Sequence, residues 1–413
     1  MKLEVINTGG ELLLGQVLNT HLGYFSQQLL PLGVSVARAQ IVPDGAVIGS
    51  AVREALSRAD TLLVTGGLGP TSDDVTRELV AEIFGAPLEF NGEIWEKICA
   101  WLAVRNLTLN ETMRAQALVP RGAAVLPNDH GTAPGFVLER DGQRVFCLPG
   151  PPRELCPMFE NYALPLLKKI TAGARPLTVK ILRVYGIGES SVQERVGPEV
   201  RKIIGNMDIG YCARPGEVDI RFIAADAQQV ARAAAVTQQI LGDAIYADGD
   251  STLEQTVINS AIAQNKTIAT AESCTGGLVA HRLTNVPGAS AVLQRGWITY
   301  SNRAKRDELN VSGETLEKHG AVSAECAREM ALGALTVSGC DLAVALTGIA
   351  GPGGGTAEKP VGTLHIGLAW RAADGAPRVE THHQLLVSDR ADFKLAAAQL
   401  ALNLLRLKLV KAR

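Results

Sequence analysis

The sequence predicts an α/β protein built in three parts, and three observations predict it. Short β-branched apolar runs alternate with helical patterns through the first and last thirds of the chain. Glycine-rich turns stand where several of those runs end. Polar, helix-breaking stretches at 171–176 and 248–251 interrupt the alternation. The chain has 413 residues, 46% hydrophobic and 20% charged, with a formal net charge of −2. That is the balance of a globular protein with sizeable cores, and it gives no support to a nucleic-acid partner. No run of about 18 apolar residues occurs and the first residues run straight into a strand, so the expectation is a cytoplasmic protein with no membrane partner. Seven scattered cysteines without CxxC spacing suggest neither a disulfide framework nor a zinc site.

In the first part, 1–170, strands at 61–65 and 144–148 alternate with helices at 73–84 and 91–105. This is the pattern of a parallel sheet that binds ligands at the carboxyl ends of its strands. The second part, 171–250, reads as strand 177–184, helix 190–204, strands 209–212 and 218–224, helix 227–241 and strand 244–246. It holds few chemically active groups and suits a spacer or a dimerisation module. Ser251 with Glu254 forms a predicted capping box for the helix that opens the third part, 251–413. That second α/β domain closes with a helix at 392–411, whose Arg406, Lys408 and Lys411 complement its own dipole.

The first part carries Gly66-Gly67-Leu68-Gly69-Pro70-Thr71-Ser72-Asp73-Asp74 directly after a strand, where backbone N–H groups can cradle a phosphate. No lysine is present, so Asp73 and Asp74 would repel a bare phosphate unless a divalent cation such as Mg²⁺ sat between them. The competing reading has Ser72 capping the helix and both acids complementing its dipole. Thr8-Gly9-Gly10-Glu11 and the turn at Gly150 occupy similar strand ends. Asp44 adds a carboxylate on the same sheet edge or simply forms a turn.

In the third part, Ala271-Glu272-Ser273-Cys274-Thr275-Gly276-Gly277 puts a hydroxyl and a thiol on a sharp turn between a strand and a helix. Ser273 or Thr275 could merely cap that helix. A serine nucleophile needs a base, and no histidine occupies a comparable turn. The helix after Ile298-Thr299-Tyr300-Ser301-Asn302 begins instead with Arg303, Lys305 and Arg306, against the dipole preference, which favours a neutral lysine amine. Thr347-Gly348-Ile349-Ala350-Gly351-Pro352-Gly353-Gly354-Gly355-Thr356 follows a buried strand and could offer N–H donors to an oxyanion or phosphate.

Four of these motifs, the turn at 65–74, Leu148-Pro149-Gly150-Pro151-Pro152, the turn at 271–277 and Thr347-Gly348-Ile349-Ala350-Gly351-Pro352, appear in an order that closely resembles the CinA family, competence/damage-inducible protein A. The resemblance spans essentially the whole chain. It implies a first domain with the three-layer molybdopterin-binding fold and a divalent-metal-dependent ADP-ribose pyrophosphatase activity. There Gly66, Gly67, Gly69, Thr71 and Gly150 are nucleotide-binding candidates and Asp73, Asp74, Asp44 and Glu11 metal candidates. It implies a KH-like α+β middle module. It also implies a last domain that needs no cofactor and hydrolyses nicotinamide mononucleotide (NMN) to nicotinic acid mononucleotide and ammonia. The family's serine nucleophile and lysine base match Ser273 and Lys305. Tyr300 and Asn302 then suit substrate orientation or the lysine's hydrogen bonding, and N–H groups at Thr275, Gly276, Gly277, Thr347 and Gly348 suit the oxyanion. Gly351, Gly353, Gly354 and Lys359 suit the nucleotide phosphate. A homodimer is expected. The rival classes are a pterin- or nucleotide-binding protein without hydrolytic activity and a molybdopterin-handling transferase, because fold does not fix function.

Overall fold

The structure is a computed structural model that describes residues 1–411 except 174, 175, 204 and 206, with the backbone alone at Lys411. The centre of the first predicted hinge, Ala174 and Arg175, and the Lys411 side chain therefore lie outside the described residues. The chain divides into two compact units, Met1–Thr178 and Val179–Arg413.

The first unit contains β1 (Leu3–Thr8), β2 (Val36–Val42), β3 (Thr61–Thr65), β4 (Leu88–Phe90), β5 (Leu118–Pro120), β6 (Ala124–Leu126), β7 (Gly135–Arg140) and β8 (Gln143–Leu148). Six of them form one sheet in the order β2-β1-β3-β8-β7-β6, while β4 and β5 pair by themselves. The four strands from β2 to β8 are parallel, as the sequence predicts, but β7 and β6 run antiparallel to their neighbours. The reason is local. Arg140 pairs with Gln143 across Asp141-Gly142, both at positive φ (53° and 80°), the two-residue hairpin turn that such a dipeptide favours. Both faces of the sheet are covered. Ile48, Val52, Leu62, Val64 and Val80 form one core, and Val5, Phe25, Leu63, Phe146 and Phe159 the other. Each such buried side chain contributes roughly 1.5–3 kcal/mol. This three-layer packing keeps β1, β3 and β8 rigid, so the loops at their carboxyl ends are well placed.

The second unit begins with β9 (Thr178–Tyr185), β10 (Asp208–Arg214), β11 (Glu217–Ala224) and β12 (Ile245–Asp248), in the order β10-β11-β9-β12. Helices Glu189–Arg201 and Ala227–Leu241 cover the sheet through Val192, Val196, Val200, Val230 and Ala233. A five-stranded sheet follows: β13 (Ile268–Glu272), β14 (Leu293–Ile298), β15 (Leu342–Gly348), β16 (Thr363–Arg371) and β17 (Pro377–Leu385), in the order β14-β13-β15-β16-β17. The first three are parallel and the last two antiparallel.

Two expectations at the joint between these sheets are corrected. The capping box forms at Thr252 and Gln255, one residue beyond the predicted pair, because Glu254 is held by Arg282 at 2.7 Å. The last helix runs Arg390–Lys411, and Arg406 does not complement its own dipole. Arg406 is buried and donates to the carbonyls of Asp243 (2.6 Å) and Ile245 (3.4 Å), while Lys408 lies over the Trp370 ring. All seven cysteines are free. No helix among the described residues is long and apolar enough to cross a membrane.

Candidate active site

β13 lies between β14 and β15 and is buried along its whole length, so the turn at its carboxyl end is fixed from both sides. The Ser273 N–H donates to Leu346 O at 3.0 Å. Gly276 and Gly277, at φ 62° and 97°, then turn the chain into the helix Leu278–Thr284. Neither Ser273 nor Thr275 caps this helix. The cap is Glu272, buried in the strand: its carboxylate accepts from the Thr275 hydroxyl (2.6 Å) and from the N–H groups of Gly277 (3.0 Å), Val279 (3.0 Å) and Ala280 (2.9 Å). The first-turn donors that a helix normally leaves open are thus occupied. Gly277 is lost as an oxyanion donor, and Gly276 N–H is turned to Ser273 O at 3.2 Å. Among the described residues no oxygen accepts from the N–H groups of Cys274 and Thr275, which lie against the Cys274 sulfur.

Lys305 sits one turn into the helix Asn302–Leu309, whose N-cap Ser301 accepts from Ala304 N–H at 3.1 Å. Only 1% of Lys305 is exposed; its ammonium donates to Ser273 Oγ at 3.0 Å and to Thr299 O at 2.7 Å, and no carboxylate of the described residues pairs with it. Burial holds the amine below its ordinary value of 10.5, because the charged form has lost its water. The cause differs from the one expected from sequence: Arg303 points to solvent and pairs with Asp307 at 3.1 Å. Cys274 is 6% exposed and its sulfur packs against Gly348. Burial pushes that thiol up to about 12, so it carries no thiolate at neutral pH and is a poor nucleophile despite its place beside Ser273.

Around the pair, the predicted residues divide. The Thr347 hydroxyl donates to Ala321 O at 2.7 Å and so fixes the end of β15. Gly348 gives close passage to Cys274 and Phe393. Tyr300 is 61% exposed, and its hydroxyl accepts from Arg390 at 3.0 Å; the other arm of Arg390 donates to Gly351 O at 2.9 Å. Asn302 is exposed and takes no part in the lysine's hydrogen bonds, which go to Ser273 and Thr299. Gly353 and Gly354 lie exposed on the loop, and Lys359 donates to His319 O at 2.5 Å, a tie that anchors the loop and leaves its remaining N–H groups for a ligand. Sequence reasoning missed Glu272, Arg390 and Lys394, whose ammonium reaches the Gly276 turn. The signal for the last two was the one used at Lys305: basic residues at a helix start, where the dipole disfavours them.

In the first unit, the loops after β1, β2, β3 and β8 enclose a cleft of about 490 Å³. It gathers Glu11, Asp44, Gly66, Gly67, Gly69, Asp73, Asp74 and Gly150. Thr71 is not in its lining; its N–H donates to Asp74 at 3.0 Å and its hydroxyl to the same carboxylate. Asp44 accepts from Gly10 N–H at 3.0 Å. A Cβ at Gly66, held at φ 96°, would strike Thr8, so only glycine lets the β3 loop pass this close to β1. Ser72 does not cap the helix, which starts at Thr76 with Val75 before it. Among the described residues no group of three or more His, Cys, Asp or Glu stands close enough to hold a metal ion, so the four carboxylates share a cleft without forming a cage.

Residues 4–169 match a probable molybdopterin binding domain, 179–247 the damage-inducible protein CinA KH domain, and 250–409 the CinA C-terminal domain. A CinA-like protein of Akkermansia muciniphila is 43% identical over 404 residues, covering 97% of this chain and 96% of its own. A protein of Caldicellulosiruptor saccharolyticus named as competence-damage inducible is 42% identical over 413 residues, covering 98% of each. Among solved structures, the competence/damage inducible protein CihA of Agrobacterium tumefaciens is 46% identical; the match covers 38% of this chain and 93% of that one, with a TM-score of 0.36. The chain carries a molybdopterin-binding-like first domain, a small KH-like module and an α/β last domain, and it belongs to the CinA family, competence/damage-inducible protein A.

Proposed function

We propose that the last domain is an amidohydrolase that converts NMN to nicotinic acid mononucleotide and ammonia, with Ser273 as nucleophile and Lys305 as its base. One observation carries the reading: a buried amine, without a carboxylate partner among the described residues and held toward its neutral form, lies 3.0 Å from a hydroxyl at the end of a rigid strand. In this mechanism Ser273 Oγ bonds to the carboxamide carbon while its proton passes to Lys305 Nζ. The N–H groups of Cys274 and Thr275, which lie against the weakly accepting Cys274 sulfur at rest, would turn to receive the oxyanion. Lys305 gives the proton to the amide nitrogen, the C–N bond breaks and ammonia leaves. Water then attacks the acyl-serine, Lys305 takes its proton, and that proton returns to Ser273 as nicotinic acid mononucleotide departs. Thr299 O, fixed at 2.7 Å, orients the amine throughout. Arg390, bonded to Gly351 O, Lys359, just after the 351–355 loop, and Lys394, at the Gly276 turn, suit the 5′-phosphate. Purified protein given NMN should release ammonia, and Ser273→Ala should not; ammonia released equally by both would reject the assignment.

For the first domain we propose divalent-cation-dependent cleavage of the diphosphate of ADP-ribose. The cleft's donors fit a hard cation that arrives with its substrate, because Mg²⁺ takes one or two carboxylates and completes its shell with water and phosphate oxygens. Asp73 or Asp74, with Asp44 or Glu11 across the cleft, would hold it, and when bound it would neutralise charge on the diphosphate. The glycine-rich loops present N–H groups to the phosphates. Formation of AMP from ADP-ribose and Mg²⁺ tests this reading. Ligand-induced thermal stabilisation without any product would favour a binding protein instead.

A further inference from the structure

The cleft of the first unit is acidic for a site that would take a diphosphate. Glu11, Asp44, Asp73, Asp74 and Glu154 line it, and among the described residues no lysine or arginine does. The basic side chain in its wall is His21, the first residue of the helix His21–Leu29. That ring is held by the ends of two parallel strands, through Asn7 of β1 and Thr65 of β3.

The hydrogen bonds fix which of its nitrogens carries the proton. Asn19 Nδ2 donates to Asn7 Oδ1 at 2.9 Å, so the other end of the Asn7 amide, its NH₂ group, is turned toward Thr65 and His21. Asn7 Nδ2 donates to Thr65 Oγ1 at 2.7 Å, which leaves the threonine proton to point at His21 Nδ1, 3.1 Å away. Nδ1 also lies 3.3 Å from Asn7 Nδ2, which has only protons to offer. Nδ1 is therefore an acceptor, and the proton of the neutral ring sits on Nε2. Burial holds the ring below its ordinary value of 6.5, so it is neutral at neutral pH. Nε2 has no partner among the described residues, yet it is not shut off from solvent as the Thr8 hydroxyl is, and the opening it meets is the cleft.

We infer that His21 contacts the substrate of this cleft: its Nε2–H donates to a non-bridging oxygen of the diphosphate. Thr65 is followed directly by Gly66 and Gly67, so the ring is fixed to the strand end that carries the glycine loop and its N–H groups. A neutral donor suits that place. A cationic side chain among five acids would be drawn into ion pairs with them, whereas no carboxylate of the described residues bonds to His21. With its proton on Nε2 the ring is also no ligand for a cation through that nitrogen. The inference rests on the reading of this cleft as a diphosphate site, and it adds the side chain that reads the anion.

The test is calorimetric titration of the full chain with inorganic pyrophosphate in the presence of Mg²⁺, beside AMP release from ADP-ribose. His21→Phe keeps a ring in place and removes the donor. It should weaken pyrophosphate about tenfold or more, the loss expected when a hydrogen bond to a charged group goes. His21→Gln puts an amide N–H at the reach of Nε2 and should keep binding within a few-fold of the unaltered protein. Because His21→Phe also unpairs the Thr65 hydroxyl, the contact is read independently on the unaltered protein, by NMR of the imidazole nitrogens with His21 identified through its absence in His21→Gln. The proton should be found on Nε2, and that N–H should shift when Mg²⁺ and pyrophosphate are added. A proton on Nδ1, an Nε2–H signal that ignores the ligand, or equal pyrophosphate binding by His21→Phe and the unaltered protein overturns the contact; AMP still formed from ADP-ribose in that case leaves the diphosphate reading standing. Absence of pyrophosphate binding to the unaltered protein overturns it as well. Binding lost in His21→Phe and kept in His21→Gln, with no AMP formed from ADP-ribose, would uphold the contact and remove the hydrolytic reading.

Discussion

Lys305→Arg separates a base from a positive charge. Arginine keeps the charge but does not deprotonate at working pH, so this variant should be nearly as inactive in deamidation as Lys305→Ala. The sign of the pH dependence follows from burial: in the proposed mechanism the neutral amine is the active form, so activity should rise with pH through a value below 10.5. A profile that falls over that range, or an active Lys305→Arg, would make this residue a charge-stabilising group instead. At the neighbouring position, Ser273→Ala should lower deamidation at least ~10³-fold, the scale seen when a catalytic unit loses its nucleophile. Cys274→Ala should keep most of the activity, because the buried thiol, pushed to about 12, is protonated throughout. Steady-state ammonia release on the two variants decides between hydroxyl and sulfur.

At the scale of elements, the turn after β13 holds together because Glu272 satisfies four donors at once. Glu272→Gln turns one acceptor into a donor facing backbone N–H groups. Losing hydrogen bonds to a charged group costs about 1.5–3 kcal/mol. The variant should therefore unfold several degrees lower and show a reduced kcat, measurable by thermal melts and NMN turnover; unchanged values for both would mean that the glycines alone shape the turn. This device also marks the limit of what the sequence made legible. Alternation of apolar runs and helical patterns found β3, β8, the elements of the middle module and the last helix, and the basic helix start led to Lys305; β4 to β7, β16, β17 and the helices Val47–Leu56 and Ala324–Ser338 carried no pattern strong enough to be assigned. The capping role went to Ser273 or Thr275 by propensity, because a carboxylate inside an apolar strand carries no local periodicity signal. Asn302 was assigned by closeness in sequence to Lys305, but at the first residue of its helix it is exposed while Lys305, three residues on, is buried. Arg390 lies 117 positions beyond Ser273 in the chain (390 − 273) and reaches Tyr300 and Gly351 only through the folded sheet.

For the molecule as a whole, the residues of the two proposed chemistries lie in separate compact units, so the activities should be separable. Asp73→Ala and Asp74→Ala should abolish metal-dependent cleavage of ADP-ribose and leave deamidation intact, and a chelator should do the same. Loss of deamidation in EDTA would contradict the serine–lysine mechanism. The second unit does not divide so cleanly. Tyr246 of the middle module belongs to the apolar core of the last domain, and Arg406 is bonded to carbonyls of residues 243 and 245. A proteolytic nick within 248–251, or a recombinant fragment begun at 251, would strip that cover away. The last domain would then present to water a greasy patch around a guanidinium that keeps only its bonds to Asn403. Such a fragment should self-associate in sedimentation runs at concentrations where the intact chain keeps a fixed size, so the hinge that looks like a natural place to cut is a poor one.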